Sequence, residues 1–359
     1  MENSKNENIF EWQGIKCGNF PEMLPTFYSS ADKKITLRIA TFNCLADCYA
    51  RASNFPKVKK NFLIWRHRNN LLYKIVKALS QASVDVVCLQ EIDVDLYEKL
   101  WEKWLATFQF KSVFVRKERG KKDGLLIAFD ANKFRMTDSE QIHFDELAKH
   151  GGLSLLFDQA NLGLVIALET VQKPISSFVI STGHLFWDPS RQDVKLLQAL
   201  YLVQATGRFR SKVAERTKME QRLVVCGDFN SLPKSLVYEL LVKGEASANE
   251  LPKLLETLNC SATEDDENWP RNLPFQIHRG DRVSTGLPLV SAFSSYPFEN
   301  EIAADDGADL AEAEYTNATV QFTGTLDYIF HEDTAVTLAV SRIPSLKTLP
   351  KFKLPCEVW

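Results

Sequence analysis

The sequence predicts an α/β protein in which two β-sheets pack face to face and helices cover the outside. Three observations carry this. Short β-branched, apolar runs recur along the chain; near its start and again past its middle they alternate with helical spacing as strand–helix–strand; between those sections strand-like runs follow one another in pairs. A doubly wound parallel sheet needs a helical crossover at every step, so the paired runs argue for a two-sheet sandwich flanked by helices.

Residues 1–34 read as a polar lead-in of weak periodicity, and residues 35–359 as one domain. "KITLRIATFNCLA" (34–46) alternates as a strand and breaks at Asn43, and "RNNLLYKIVKALSQAS" (68–83) places Leu71, Leu72, Ile75, Val76 and Leu79 on one helical face. "VDVVCLQEID" (84–93) is a buried strand that delivers Glu91, and "LYEKLWEKWLATF" is an amphipathic helix. Strands follow at "KSVFVRK", "GLLIAFD", "LGLVIALET", "SSFVISTGHL", "RLVVCGDF" and "LDYIFH", with helices at 192–209 and 234–243. Two segments read as insertions: 244–285, with a helical piece "NELPKLLETL", and the acidic 298–314, "FENEIAADDGADLAEAE", expected as a mobile surface loop.

Composition excludes several classes. At 359 residues, with 45% apolar and 25% charged residues, the chain can bury a large core without staples. No apolar run approaches the ~20 residues of a membrane span. "MENSKNENIF" has neither the basic start nor the apolar core of a signal peptide, so a cytoplasmic or nuclear protein is expected. The seven cysteines are scattered without zinc spacing, which argues against a metal–thiolate site and a disulfide framework. A net charge of −3 is not that of a protein that coats nucleic acid by bulk charge. The basic stretches "KVKK" (57–60), "RHR" (66–68) and "RKERGKK" (116–122) read as solvated faces.

Polar residues interrupt the apolar strands near their ends: Asn43 in "TFNCLA", Glu91 in "CLQEID", His184 in "TGHLFWDP", Asp228 and Asn230 in "CGDFN", and Asp327 in "GTLDYIF". One such residue is ordinary turn chemistry; five segments doing the same is not. A buried carboxylate is costly unless it is paired or metal-bound. Hard carboxylate and amide oxygens suit Mg²⁺ or Mn²⁺ beside a phosphate, which points to phosphoester hydrolysis.

In their order, "FNCLA", "LQEID", "GHLFWDPSRQDVKLLQ", "CGDFNSLP" and "FTGTLDYIF" resemble the motifs of the endonuclease/exonuclease/phosphatase superfamily, from about Ile35 onward. More narrowly, the third and the run "YTNATVQFTGTLDYIF" look like the carbon-catabolite-repressor type of poly(A) deadenylase, a branch that includes nocturnin, the angel proteins and the 2′,5′-oligoadenylate phosphodiesterase. The resemblance implies a deoxyribonuclease I-like sandwich and a Mg²⁺-dependent (or Mn²⁺-dependent) 3′-exoribonuclease acting on adenylate-rich 3′ ends of RNA. Alternatives are a phosphodiesterase for 2′,5′-linked adenylates or 2′,3′-cyclic phosphates, a nucleotide phosphatase, or a non-catalytic RNA-binding relative. It assigns Glu91 as principal metal ligand supported by Asn43, Asp228 as the carboxylate acting on water, and Asn230 and His184 as phosphate contacts. Asp327 matches an acid that orients a late histidine, and Pro189 and Phe322 match an adenine sandwich.

Two departures set further expectations. The family pattern ends in Ser-Asp-His on a last strand, whereas this sequence holds no such triplet and ends in "LPKFKLPCEVW". A truncated chain with a missing final strand, an exposed apolar edge and impaired activity is expected. The leucine-rich repeats that dock such deadenylases into a larger complex have no counterpart here, so that docking route is expected to be absent.

Overall fold

The computed structural model describes residues 35–149, 159–247, 282–295, 312–338 and 340, with short strand segments at 11–12, 15–16, 25–27 and 277–278. Its framework is two sheets packed face to face. One has the order β1–β2–β4–β3, formed by β1 (Ile39–Asn43), β2 (Val86–Asp93), β3 (Phe110–Arg116) and β4 (Asp123–Asp130). The other contains β5 (Phe134–His143), β6 (Leu162–Thr170), β7 (Ser177–His184), β8 (Gln221–Asp228), β9 (Val290–Ser291) and β10 (Asp327–His331), in the order β9–β10–β8–β7–β6–β5.

Three apolar layers follow from strand alternation. Between the sheets lie Val86, Cys88, Leu125, Ile127, Leu164, Ile166, Ile180, Val224 and Cys226. The opposite face of the larger sheet carries Val165, Ala167, Val179, Leu223 and Val225 against the helices α3 (Gln192–Thr217) and α4 (Leu236–Lys243). The outer face of the smaller sheet is covered by α1 (Trp65–Gln81) and by a helical segment ending in α2 (Glu102–Thr107). The expected sandwich flanked by helices is therefore present.

The topology gathers the site. β1 runs parallel to β2, and β7 runs parallel to β8, so four C-terminal strand ends stand at one end of the sandwich. β10 is antiparallel to β8 and opens at the same end, with Asp327 paired to Asp228. The sheets are tied just behind that end: Gln90 Nε2 on β2 donates to Thr182 Oγ1 on β7 at 3.0 Å and to Thr41 Oγ1 on β1 at 3.1 Å.

Several boundaries differ from expectation. β5 has no counterpart in the sequence reading, because only Phe134 and Ile142 of its ten residues are buried and no apolar run marks this edge strand. The expected helix over "LYEKLWEKWLATF" divides into Val94–Leu96, a π-helical turn Tyr97–Trp101, and α2. The helix expected at 192–209 continues to Thr217, its solvent-facing last turns lacking the apolar density that marks the start. In the lead-in, Pro25–Phe27 pairs with Ile35–Thr36 and with Ala335–Thr337. The expected helix at "NELPKLLETL", most of the acidic segment 298–314 and the C-terminal stretch 341–359 lie outside the described residues. No described helix is long and apolar enough to cross a membrane.

Candidate active site

Glu91 reaches the site through a defect in its strand. Pairing of β2 with β4 slips between Leu89 and Ile92, and Glu91 adopts a left-handed φ of 56°. Such a bulge leaves a residue outside the ladder and re-aims its side chain, here toward the strand ends. Its Oε2 accepts the Ala46 N–H at 3.0 Å, and its Oε1 accepts Asn43 Nδ2 at 3.0 Å. The same Nδ2 donates to Asp228 Oδ2 at 2.9 Å, so one amide bridges carboxylates from the two sheets. Asn43 Oδ1 in turn accepts the Leu45 N–H at 2.9 Å, which fixes the amide's orientation.

Asp228 ends β8, where Gly227 makes the close approach possible. Gly227 has φ 136°, and a Cβ there would stand 2.2 Å from the Gly183 carbonyl oxygen on β7. Beyond Asp228 the strand stops. Asn230 is left-handed at φ 47°, so Asp228 and Asn230 share an edge through a tight turn and not through strand alternation. Asn230 N–H donates to Asp228 Oδ1 at 2.9 Å, its Nδ2 donates to the Leu185 carbonyl at 3.0 Å, and its own carbonyl accepts Lys195 Nζ at 2.8 Å.

His184, buried at the end of β7, places Nε2 3.9 Å from Asp228 Oδ2 and 4.0 Å from Glu91 Oε1. Behind its ring, Lys117 Nζ lies 3.4 Å from Nδ1 and 2.6 Å from Asp123 Oδ2, while Tyr49 Oη donates to Asp123 Oδ1 at 2.9 Å. An ammonium only donates, so Nδ1 accepts and Nε2 carries the ring proton toward the carboxylates. Asp327 stands beside Asp228; its Oδ2 accepts Thr316 Oγ1 at 2.7 Å, and its Oδ1 has no hydrogen-bond partner among the described residues.

The electrostatics are those of crowded, dehydrated acids. Burial raises Glu91 to about 7, against the opposing pull of Lys117 and Asn43. Burial also raises Asp228, and burial with the neighbouring Asp228 charge raises Asp327 well above the usual carboxylate range. Burial and Lys117 push His184 well below the ordinary imidazole value, so it is neutral. Glu91, Asp228 and Asp327 thus meet with Lys117 and Lys195 as the nearby cations, of which Lys117 already serves Asp123 and Lys195 the Asn230 carbonyl.

A hard divalent cation answers that excess of carboxylate. Among the described residues no cluster of three His, Cys, Asp or Glu side chains is arranged to hold an ion by itself. A hard divalent cation that takes one or two carboxylates and completes its shell with water and phosphate could be held by Glu91 and Asp228.

The structure brings Asn43, Glu91, His184, Asp228, Asn230 and Asp327 to one end of the sandwich. Pro189 and Phe322 are exposed on two rim loops, after β7 and before β10. Sequence reasoning missed Lys117 and Asp123, concealed in what reads as a surface charge run. It also missed Arg68, whose buried guanidinium donates to the carbonyls of Cys44 and Leu45 and so holds the loop that presents Ala46 N–H to Glu91. Within "RHR" at the start of an amphipathic helix, Arg68 carries no signal of such a role.

Known proteins resemble the chain in sequence and in fold. The family model described as Endonuclease/Exonuclease/phosphatase family matches residues 40–348. Carbon catabolite repressor protein 4 homolog 4 of Arabidopsis thaliana is 24% identical over 327 residues, 82% of this chain and 67% of the relative. The CCR4-Not complex 3′-5′-exoribonuclease subunit Ccr4 of Aspergillus niger is 26% identical over 351 residues, 88% of this chain but 48% of the relative. The chain thus spans two thirds of the first and about half of the second. Among solved structures, ANGEL2, described as a 2′,3′-cyclic phosphatase, superposes with TM-score 0.64 at 23% identity, covering 82% of this chain and 83% of the other. The human nocturnin catalytic domain gives 0.52 at 20% identity, covering 83% of each. These likenesses support the fold.

Proposed function

The chain belongs to the endonuclease/exonuclease/phosphatase family, and from that membership we propose that it is a Mg²⁺-dependent 3′-exoribonuclease that shortens adenylate tails of RNA. The observation that supports this most is the single amide of Asn43 joining Glu91 and Asp228 across the two sheets, with neutral His184 facing both. Among relatives, those named as 3′-5′-exoribonucleases favour this substrate class.

In this reading Glu91, supported by Asn43, holds the ion. When bound, the ion supplies charge neutralisation at the scissile phosphate and its leaving oxygen. Asp228 accepts the proton of the attacking water; its raised proton affinity makes it a better base than an exposed aspartate. His184 Nε2–H donates to a phosphate oxygen on which negative charge grows. One hydrogen of the Asn230 amide is committed to Leu185, and the other turns to a second phosphate oxygen. Asp327 sits behind Asp228 and opposes full ionisation of the pair. Pro189 and Phe322 enclose the terminal adenine, a stacking contribution of about 1–3 kcal/mol.

The test is to incubate the chain with 3′-labelled A₂₀, a 2′–5′ adenylate trimer and an RNA ending in a 2′,3′-cyclic phosphate, in Mg²⁺ or EDTA, beside Glu91→Ala. Mg²⁺-dependent, Glu91-dependent shortening of A₂₀ is expected. Turnover confined to the trimer or the cyclic phosphate would move the assignment to that phosphodiester, and EDTA-insensitive binding without turnover would leave an RNA-binding protein.

A further inference from the structure

The 37 residues from Cys48 to Val84 hold eight Lys or Arg and no Asp or Glu, in a chain whose acidic residues outnumber its basic ones 46 to 43. One of the eight, Arg68, is buried beneath the Cys44–Ala46 loop. The other seven, Arg51, Lys57, Lys59, Lys60, Arg66, Lys74 and Lys77, are all exposed. Among the described residues none of these seven is in an ion pair. Several basic residues elsewhere are in ion pairs: Arg119 with Asp145, Arg210 with Glu332, Lys212 with Glu140 and Arg216 with Asp138. What sets the segment apart is that no acidic residue of its own offsets these seven charges.

That segment starts at the candidate active site. Asn43 is the last residue of β1, and the loop that follows contributes Ala46 N–H to Glu91 before reaching Arg51. Asn54, Phe55 and Lys57 then line a cleft with Thr319 and Val320, on the hairpin that carries exposed Phe322. The chain next turns into α1, where Arg66, Lys74 and Lys77 fall on one face at helical spacing, opposite the buried Leu71, Leu72 and Val76.

We propose that this ridge is the track for the sugar–phosphate backbone of the RNA upstream of the scissile bond, running from the rim at Phe322 past Lys57, Lys59 and Lys60 onto the Arg66 face of α1. The inference rests on the reading of the chain as an exoribonuclease and names what that reading leaves open: the substrate is a polynucleotide held beyond its last nucleotide. A polynucleotide whose 3′ end occupies the site must leave across the rim, and the acid-free stretch from Cys48 to Val84 repels it least. Neutralising phosphates with Lys and Arg releases counterions, so the track has a measurable salt signature.

The experiment uses the full chain with Lys57→Gln, Lys59→Gln, Lys60→Gln and Arg66→Gln combined, and a control with the three lysines changed to Arg. Fluorescence anisotropy reads affinity for labelled A₂₀ and for an adenylate trimer in EDTA, across about 50–200 mM salt. The Gln variant is expected to lose at least about tenfold in A₂₀ affinity, and its salt slope to fall by roughly 3, at about 0.7 per lost single-strand contact. Trimer affinity stays level, and the Arg control binds like the parent. Unchanged A₂₀ affinity and slope in the Gln variant, an equal loss for the trimer, or a parent chain that binds no A₂₀ overturns the track. So does variant-sensitive binding to phosphatidylserine vesicles in place of A₂₀. Binding is read apart from turnover, so loss of A₂₀ affinity with an inert parent upholds the track while the exoribonuclease reading fails.

Discussion

One amide donates to two acids 185 and 48 residues away in sequence, at 2.9 and 3.0 Å, and at residue scale the proposed chemistry rests on that contact. Asn43→Ala removes the donor from both carboxylates at once and leaves them facing each other. Each acid keeps one backbone donor, Ala46 N–H or Asn230 N–H, but the link that sets the two against each other is gone, so turnover is expected to fall by about a hundredfold, about 2.7 kcal/mol in barrier. Steady-state kinetics on A₂₀ read the loss, with circular dichroism confirming a folded variant. The Lys117–Asp123 pair behind His184 makes a separate prediction. Lys117 is 5% exposed and Asp123 fully buried, so Lys117→Met strands a buried carboxylate and is expected to destabilise by about 3–5 kcal/mol. Lys117→Met with Asp123→Asn removes both charges, and urea unfolding should show it more stable than the single variant. If the two substitutions prove merely additive, the pair is not the unit described here.

At the scale of elements, the parallel pair β7–β8 carries His184 and Asp228 into register opposite each other, and it does so over two glycines. Gly227 at φ 136° faces Gly183 across the ladder, and backbone cannot yield as a side-chain tip does. Gly227→Ala is therefore expected to destabilise by more than about 3 kcal/mol and to separate His184 from Asp228. Denaturant unfolding measures the first effect, and loss of A₂₀ cleavage at a temperature where the variant is folded measures the second. Legibility followed the same logic of elements. The strands that end at Asn43, Glu91, His184 and Asp228 could be read because buried runs stop abruptly at polar residues. β5 could not, since an edge strand with two buried residues has no apolar signature. The bulge at Glu91 and the turn at Asn230 were hidden as well, because left-handed backbone at a non-glycine residue is imposed by tertiary packing and not by local preference. Lys117 and Arg68 were read as solvated charge for a related reason: burial of a cation depends on what the fold sets beside it, here Asp123 and the carbonyls of Cys44 and Leu45.

Across the whole molecule, these buried acids tie stability to pH and, in the proposed function, to metal. Glu91 is raised to about 7 and Asp93 to about 6, in both cases chiefly by burial, and Asp228 and Asp327 are raised in the same direction. A carboxyl whose proton affinity is higher folded than unfolded contributes stability that is complete below its unfolded value, about 4, and is lost as pH rises through the folded value. Two buried imidazoles act oppositely. His184 and His331 are lowered by burial, so their cost grows only as pH falls below the unfolded value of about 6.5. Between pH 8 and about 6.5 the acids therefore act with little opposition. In EDTA the chain is expected to gain stability on acidification over that window, about 1 kcal/mol from Glu91 alone, or roughly 2 °C in Tm for a chain of this size. A divalent ion binds the ionised carboxylate and stabilises the folded state by mass action, so saturating Mg²⁺ should raise Tm more at pH 8 than at pH 6.5 and close the gap. Glu91→Gln, which cannot ionise, should flatten the EDTA profile and abolish the Mg²⁺ response together. Differential scanning calorimetry at the two pH values, with and without Mg²⁺, reads all of these; a parent chain that loses stability from pH 8 to 6.5 in EDTA would refute the account of a dehydrated acid pair awaiting a cation.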